Sequence, residues 1–176
     1  NGPEINTVRE AGKIKEMEAL ARGSSMSGNC GIAHTRWATH GEPTRANAHP
    51  HSDCTGKISV IHNGIIENFE ELRDQLIKEG HKFRSETDTE VLPHLLEKYY
   101  EGDLVSAMQK LLKAIKGSGA IVAMSSDNPD ELAAGRIASP LIAGIARDGN
   151  FSASDMPAVL EHTRSFLVIN DYETVR

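Results

Sequence analysis

A chain of 176 residues is long enough to bury the core of one compact domain and too short for two comfortable ones. Its 25 acidic residues outnumber its 19 basic ones, giving a net charge of -6 without a Lys or Arg cluster, so a nucleic-acid backbone is not an expected partner. No apolar stretch approaches the length of a membrane span, and the 2 cysteines form neither a disulfide framework nor a Cys-x-x-Cys pair, so we expect a cytoplasmic protein with reduced thiols.

The N-terminal part of the chain is predicted to hold strands, one helix and polar loops. Residues 1–3, Asn-Gly-Pro, predict a turn that leads into a strand over residues 5–9. Apolar residues at helical spacing after Ile14 predict a short helix that ends at Gly23. Residues 30–38 are predicted as a second strand.

Residues 46–55 read as a loop that leads into a strand over residues 57–62. Three further helices are then predicted. Asn68 is placed to cap the first of them, and Asp103 is placed to cap the third. Pro93 lacks a backbone N–H, so the second helix must begin late, near Thr89, or kink at the proline.

Short apolar runs separated by turns predict the remaining strands. One covers residues 81–84, and the others cover residues 120–125, 132–136, 141–147, 151–153 and 166–169. Strands with interposed helices, followed by a strand-rich second half, predict an α+β layered domain.

Residues 31–41 are too polar for an ordinary half-buried strand and predict one wall of a binding pocket. Arg36 needs a partner in mid-strand, and either a ligand carboxylate or an internal salt bridge would satisfy its planar fork. Period two puts His34 and Arg36 on one face, with Trp37 and Thr39 on the other. Arg36 and Thr39 can therefore serve one pocket only if the strand bends, as the Thr-His-Gly turn would allow.

Asn63 and Gly64 follow a β-branched run and are predicted to stand at the end of a strand. There an asparagine side-chain N–H and a glycine N–H can form an oxyanion hole. The alternative for an isolated Asn-Gly pair is a type I′ hairpin turn, although the helix cap at Asn68 follows too soon to favour it.

Asp88 stands in the first turn of a predicted helix, where the helix dipole alone favours an acidic residue, so it can be a ligand anchor or a helix-terminus residue. Between positions 34 and 62 lie five histidines, namely His34, His40, His49, His51 and His62. No pair among them has the helical spacing of a zinc protease and no cysteine pair accompanies them, so no metal and no other cofactor is expected.

Four motifs in this order resemble the glutaminase domain of the glutamine:fructose-6-phosphate amidotransferases, which are class II glutamine amidotransferases. The motifs are RWATHG from residue 36, NAHPH from residue 47, HNGIIEN from residue 62 and SETDTE from residue 85. The related purine-pathway amidotransferases fit less well, because their pattern has tyrosine after the arginine and lacks the NAHPH run. The similarity covers essentially the whole chain.

The resemblance implies a four-layer αββα sandwich of the N-terminal-nucleophile hydrolases, with mostly antiparallel sheets and the N-terminal strand or strands missing. It implies hydrolysis of L-glutamine to glutamate and ammonia for glucosamine 6-phosphate synthesis. By position, Arg36 would hold the α-carboxylate of glutamine and Asp88 its α-ammonium, while Asn63 and Gly64 would form the oxyanion hole. The residues expected to line or support the pocket are Trp37, Thr39, His40 and His49.

The family mechanism uses a cysteine at the mature N-terminus, whereas this sequence starts at Asn1. Cys30 lies within the chain and has no free α-amine, so residues 1–176 are expected to be a partial glutaminase domain that is inactive alone. A sugar isomerase domain of the same polypeptide and a homodimeric full enzyme are the implied partners. The alternatives are a non-catalytic glutamine-binding module and the glutaminase domain of another class II amidotransferase.

Overall fold

A computed structural model describes residues 4–24, 26–37 and 40–176, so the predicted turn at residues 1–3 lies outside the described residues. The helices are α1 (Ile14–Arg22), α2 (Phe69–Lys78), α3 (Val91–Tyr99) and α4 (Leu104–Ala114), and 3-10 helices lie at Asp88–Glu90 and Met156–Val159. The strands are β1 (His51–Ser52), β2 (Ile58–Ile66), β3 (Gly117–Ser125), β4 (Asn128–Ile137), β5 (Ile142–Ile145), β6 (Asn150–Ala153), β7 (Ser165–Val168) and β8 (Thr174–Val175).

In the described residues, the strands form two antiparallel sheets. The larger sheet has the order β1-β2-β3-β4-β8, and the smaller has the order β6-β5-β7. The longest ladder joins β2 to β3 and runs from the pair Ile58–Ser125 to the pair Ile66–Gly117. Because β2 lies inside the larger sheet, both of its faces can be covered.

The apolar core lies on both faces of the larger sheet. On one face Val60 and Ile121 pack with the buried side chains of α2, α3 and α4. On the other face Val122 and Ala134 pack with Leu141 and Ile169, which adjoin the smaller sheet. This alternation follows the period-two geometry of strands, and it gives the described residues a helix layer and two sheet layers.

The predicted helices are confirmed, with one correction at a cap. Helix α3 begins late, at Val91, so Pro93 falls in the first turn, where its missing N–H costs no helical hydrogen bond. Asp103 caps α4 by accepting a 3.2 Å hydrogen bond from the Val105 N–H. Asn68 does not cap α2 with its side chain; its amide bonds the Ala114 carbonyl and the Lys116 N–H instead. In the described part of the chain, every helix is too short or too polar to cross a bilayer.

The five strands predicted in the second half are confirmed, but three earlier strands were wrong. Residues 5–9 and 81–84 and the described part of residues 30–38 have no strand assignment. A strand needs a hydrogen-bonded neighbour, and no described strand pairs with these segments. Burial nevertheless alternates from Cys30 to Trp37, as the period-two pattern predicts.

Candidate functional site

Arg36 holds a tight turn at the edge of the site. Its Nη1 donates to the carbonyl oxygen of Glu42 at 3.0 Å, and its Nη2 donates to the carbonyls of Gly41, at 3.1 Å, and His40. Gly41 has a φ of 76°, and a Cβ there would lie 2.8 Å from the amide nitrogen of Asn47. The chain bends at residues 40–41, where the φ of Gly41 favours glycine, whereas the position near Ala38 lies outside the described residues.

These contacts decide how Arg36 is held within the protein. Among the described residues its hydrogen bonds go to backbone carbonyls, and no internal salt bridge is formed. A guanidinium carries five N–H donors and these contacts use three of them, so two remain for a ligand carboxylate. Arg36 thus fixes the turn and remains a candidate anion anchor.

Asp88 is buried, with an exposed fraction of 3%, and its two oxygens face different partners. Oδ2 accepts a 2.9 Å hydrogen bond from the Ile66 N–H at the end of β2. Oδ1 lies 3.9 Å from Nδ1 of His40, whose ring also packs edge-on against Phe69. The contact with Ile66 gives Asp88 a long-range partner besides the helix dipole, so a helix terminus alone does not account for this residue.

Asn63 is exposed on β2 and is oriented by a residue outside the predicted set. Its Oδ1 lies 2.6 Å from Nε2 of His34. Burial lowers the pKa of His34, opposed by the hydrogen bond that the ring makes to Oδ1 of Asn63, so the ring is neutral near pH 7. A proton on Nε2 donated to Oδ1 leaves the Asn63 Nδ2 hydrogens as donors for a ligand. The sequence indicated a role for His34 only by the period-two spacing that places it on the same face as Arg36.

Gly64 is required by the close approach of two strands. Its φ is 143°, and a Cβ would lie 2.1 Å from the carbonyl oxygen of Ser118 on β3. Strand β2 continues to Ile66, so the predictions of a strand end at Asn63 and of a possible hairpin turn were wrong. Asn63 and Gly64 instead belong to one long strand, which fixes the asparagine side chain and the glycine backbone relative to each other.

Two buried histidines, His49 and His51, pack in series against the ring of His34. The His49 ring stacks on His34 at 4.1 Å between centroids and meets His51 edge-on at 5.1 Å. Nδ1 of His49 accepts a 3.4 Å hydrogen bond from the His62 N–H. Burial lowers the pKa of His49, and it lowers the pKa of His51 to about 4, so both rings are neutral near pH 7. His49 therefore acts as a support for His34.

The predicted residues do not all face one cavity. A cavity of about 700 Å³ is bordered by His34, Arg36 and His49, together with residues 9–15. Among the described residues, Asn63, Gly64 and Asp88 are not part of its wall, and Asn63 adjoins it through His34. The side chain of Trp37 is 90% exposed and does not join the group. Thr39 lies outside the described residues.

The site combines opposite charges with neutral donors. Arg36 supplies a cation, Asp88 a buried carboxylate, and Asn63 an amide oriented by the neutral ring of His34. A cation and an anion suit the two charged groups of a zwitterion, and a preorganised amide donor suits an oxygen that gains negative charge.

Residues 34–161 match the family described as glutamine amidotransferase domain. This range is more than half of the chain and contains Arg36, Asn63 and Asp88. The chain belongs to the glutamine amidotransferase domain family.

Two relatives are called glutamine–fructose-6-phosphate aminotransferase (isomerizing). The chain is 50% identical over 175 residues to that of Clostridium acetobutylicum, which covers 99% of this chain and 29% of the relative. It is also 50% identical over 175 residues to that of Methanothermobacter thermautotrophicus, covering 98% of this chain and 30% of the relative. The chain therefore spans about three tenths of the length of these curated relatives.

Two solved structures share the fold. Glutamine phosphoribosylpyrophosphate amidotransferase from B. subtilis, complexed with ADP and GMP, matches with a TM-score of 0.62 at 27% identity, over 81% of this chain and 33% of that chain. An allosteric regulatory enzyme of purine biosynthesis matches with a TM-score of 0.63 at 24% identity, over 78% of this chain and 30% of that chain, and this likeness shows the fold alone. The expected α+β sandwich of the N-terminal-nucleophile hydrolases is confirmed.

Proposed function

We propose that the chain is the glutamine-hydrolysing part of a glutamine:fructose-6-phosphate aminotransferase. The relatives with that name are 50% identical to the chain over nearly all of its length. The B. subtilis phosphoribosylpyrophosphate amidotransferase is 27% identical. This difference favours fructose 6-phosphate over phosphoribosyl pyrophosphate as the acceptor, with glucosamine 6-phosphate as the product.

Arg36 and Asp88 are proposed to bind the two charged groups of L-glutamine. The guanidinium of Arg36 borders the 700 Å³ cavity and pairs with the α-carboxylate. Asp88 pairs with the α-ammonium through Oδ1, because Oδ2 is already occupied by the Ile66 N–H. His40 contacts both residues, because its carbonyl accepts from Arg36 and its Nδ1 lies 3.9 Å from Oδ1 of Asp88. Trp37 and Thr39 are assigned to the pocket by the resemblance alone.

Asn63 and Gly64 are proposed to stabilise the negative oxygen that forms during hydrolysis. When a nucleophile attacks the side-chain carboxamide of glutamine, the carbonyl oxygen becomes an oxyanion. Asn63 Nδ2 and the Gly64 N–H then donate to it, and the collapse of the intermediate releases ammonia. His34 holds Asn63 in the required orientation, and the 2.6 Å contact between them is the observation that carries the proposal.

The nucleophile implied by the resemblance is a cysteine at the mature N-terminus, whose own amino group serves as the base. Neither cysteine of the chain has this environment. Burial raises the pKa of the Cys30 thiol, whereas an activated thiol has a lowered pKa. Cys54 belongs to a separate side-chain cluster that includes His81 and His94.

The ammonia is proposed to pass to a sugar isomerase domain of the same polypeptide, and the whole enzyme is proposed to be a homodimer. The greater length of the relatives is consistent with a further domain, because the chain spans 29% of the C. acetobutylicum protein.

An acceptor assay on the full-length protein tests this function. The protein is given glutamine with either fructose 6-phosphate or phosphoribosyl pyrophosphate, and glutamate and the aminated sugars are measured. We expect glutamate and glucosamine 6-phosphate in the first reaction alone. Pyrophosphate release in the second reaction would favour the purine-pathway alternative. Glutamine binding without glutamate formation would favour the binding module.

A further inference from the structure

Four potential metal ligands from three parts of the chain converge outside the proposed glutamine site. Cys54 lies in the turn between β1 and β2, His81 follows α2, and His94 and Glu97 lie one helical turn apart on α3. Each offers one ligand atom, and these atoms all lie within 4.8 Å of one another. We call these four residues the α3 cluster.

The distances within the α3 cluster match a tetrahedral site. Zinc bonds of about 2.0–2.3 Å at tetrahedral angles place ligand atoms about 3.3–3.6 Å apart. Sγ of Cys54 lies 3.8 Å from Nδ1 of His81 and 3.6 Å from Nδ1 of His94. Oε2 of Glu97 lies 3.0 Å and 3.5 Å from the same two nitrogen atoms. A single ion at the centre needs only small side-chain adjustments.

The environment of His94 favours a ligand role. The residue has an exposed fraction of 0%, and its Nε2 has no hydrogen-bond partner among the described residues. Nε2 faces Oε1 of Glu90 at 3.9 Å. A proton on Nε2 suits that carboxylate and leaves the lone pair of Nδ1 directed into the cluster. This is the arrangement by which a carboxylate orients a metal-binding histidine.

The Glu90 carboxylate is itself held in place. It accepts hydrogen bonds from the Arg84 N–H at 2.7 Å and from the Ser85 N–H at 2.6 Å. The sulfur of Cys54 likewise accepts a hydrogen bond from the Lys82 N–H at 3.3 Å. Backbone N–H groups of residues 82–85 therefore contact both the cluster and its supporting carboxylate.

We propose that Cys54, His81, His94 and Glu97 bind one zinc ion. Sulfur, imidazole and carboxylate ligands together suit zinc, and four protein ligands leave no open position, as in structural sites. One thiolate and one carboxylate balance the two positive charges, so the complex is neutral. The Cys54 thiol loses its proton to solvent on binding. The bound ion would link the β1–β2 turn to α3. Helix α3 begins directly after the 3-10 helix that contains Asp88.

Metal analysis of the purified protein tests the proposal. The protein is prepared without chelators and its zinc content is measured by mass spectrometry, for the wild type and for Cys54→Ser. Cys30→Ser is the matched control, because Cys30 is the other free cysteine and lies outside the cluster. We expect about one zinc per chain in the wild type and in Cys30→Ser, and loss of stoichiometric zinc in Cys54→Ser.

Cobalt substitution of the wild type provides a second measurement that does not depend on the folding of a variant. Cobalt bound at this site should give a thiolate-to-cobalt charge-transfer band and the intense visible bands of tetrahedral coordination. Glu90→Gln should weaken zinc binding about 10–100-fold in a chelator competition. A zinc-free wild type without the cobalt bands would overturn the proposal, and so would equal zinc content in Cys54→Ser and Cys30→Ser.

Discussion

Residues 30–42 and strand β2 border the same candidate site, but different interactions hold them in place. Strand β2 is paired along its full length with β3, and apolar side chains pack on both faces of the sheet. Residues 30–37 have no described strand partner, and the turn at residues 40–42 is held by the side chain of Arg36. The side of the site formed by β2, which we call the sheet side, therefore depends on backbone pairing. The side formed by residues 30–42 depends on individual polar side chains.

This difference separates stability from ligand binding. A change that disturbs the β2–β3 ladder should unfold the domain, because the ladder lies between two packed layers. A change in residues 30–42 should act mainly on the ligand, because few apolar contacts are lost. The following predictions compare the two sides, beginning with the largest expected effect on free energy.

Gly64→Ala should have the largest effect, because it tests the sheet side directly. The added Cβ would lie 2.1 Å from the Ser118 carbonyl oxygen, in a backbone conformation with φ of 143°. Backbone strain and overpacking together should lower the free energy of unfolding by about 4 kcal/mol. Denaturant unfolding measures this change.

The matched control is Gly56→Ala, at a glycine with φ of 75° and no atom within 4 Å of the added Cβ. This variant has the strain of the backbone conformation without the clash, so the free energy of unfolding should fall by about 1 kcal/mol. Equal losses in the two variants would contradict the close approach of β2 and β3.

Acid should weaken the histidine stack that joins the two sides. Burial lowers the pKa of His51 from 6.5 to about 4, so between these values the unfolded chain binds more protons than the folded one. Stability should therefore fall as the pH decreases from about 6.5 to about 4, and His51 alone accounts for about 3 kcal/mol of that loss.

Urea unfolding at a series of pH values checks this dependence. His51→Gln should make the curve less steep in this range, whereas His162→Gln, at an exposed histidine, should leave it as in the wild type. An equally steep acid loss in His51→Gln and the wild type would assign the effect to other groups.

Arg36→Lys tests the side of the site formed by residues 30–42 and should weaken the binding of glutamine. Lysine keeps the charge but loses the planar fork, so glutamine binding should weaken by about 2 kcal/mol, seen as a KM increase of roughly 30-fold. Steady-state glutaminase kinetics of the full-length protein measures this. Arg45→Lys, at an exposed arginine of the same loop, is the control. An unchanged KM in Arg36→Lys would exclude Arg36 as the carboxylate anchor.

Trp37→Ala should have the smallest effect on folding. The side chain is 90% exposed, so its removal should change the free energy of unfolding by less than about 0.5 kcal/mol. Leu96→Ala, at a side chain with an exposed fraction of 0%, should cost about 2–5 kcal/mol in the same measurement. A comparable loss in Trp37→Ala would mean that Trp37 packs against the protein.

The sequence predicted those elements whose signals are local. Helical spacing and the cap at Asp103 identified α4, and turn-bounded apolar runs identified the antiparallel strands of the second half. The pairing of strands that lie far apart in the chain could not be predicted from such local signals. The alternating pattern of residues 30–38 does not show whether a neighbouring strand is present to pair with this segment. The extension of β2 past Gly64 likewise depends on its pairing with β3, which begins at Gly117.

The candidate site was predictable in its residue types and less so in its contacts. The polar character of residues 31–41 and the motif order indicated Arg36, Asn63 and Asp88. The bond from Asp88 to Ile66 and the orientation of Asn63 by His34 depend on contacts between distant segments. The α3 cluster joins residues from position 54 to position 97, so its spacing resembles no short metal motif.

Asn63→Ala in the full-length protein is the most direct test of the proposed mechanism. The side chain is exposed, so the free energy of unfolding and the KM for glutamine should stay close to wild type. The kcat of glutamine hydrolysis should fall about 10²–10³-fold, because one donor to the oxyanion is lost. Such a fall at unchanged stability is the result we predict. An unchanged kcat would contradict the assignment of Asn63 to the oxyanion hole.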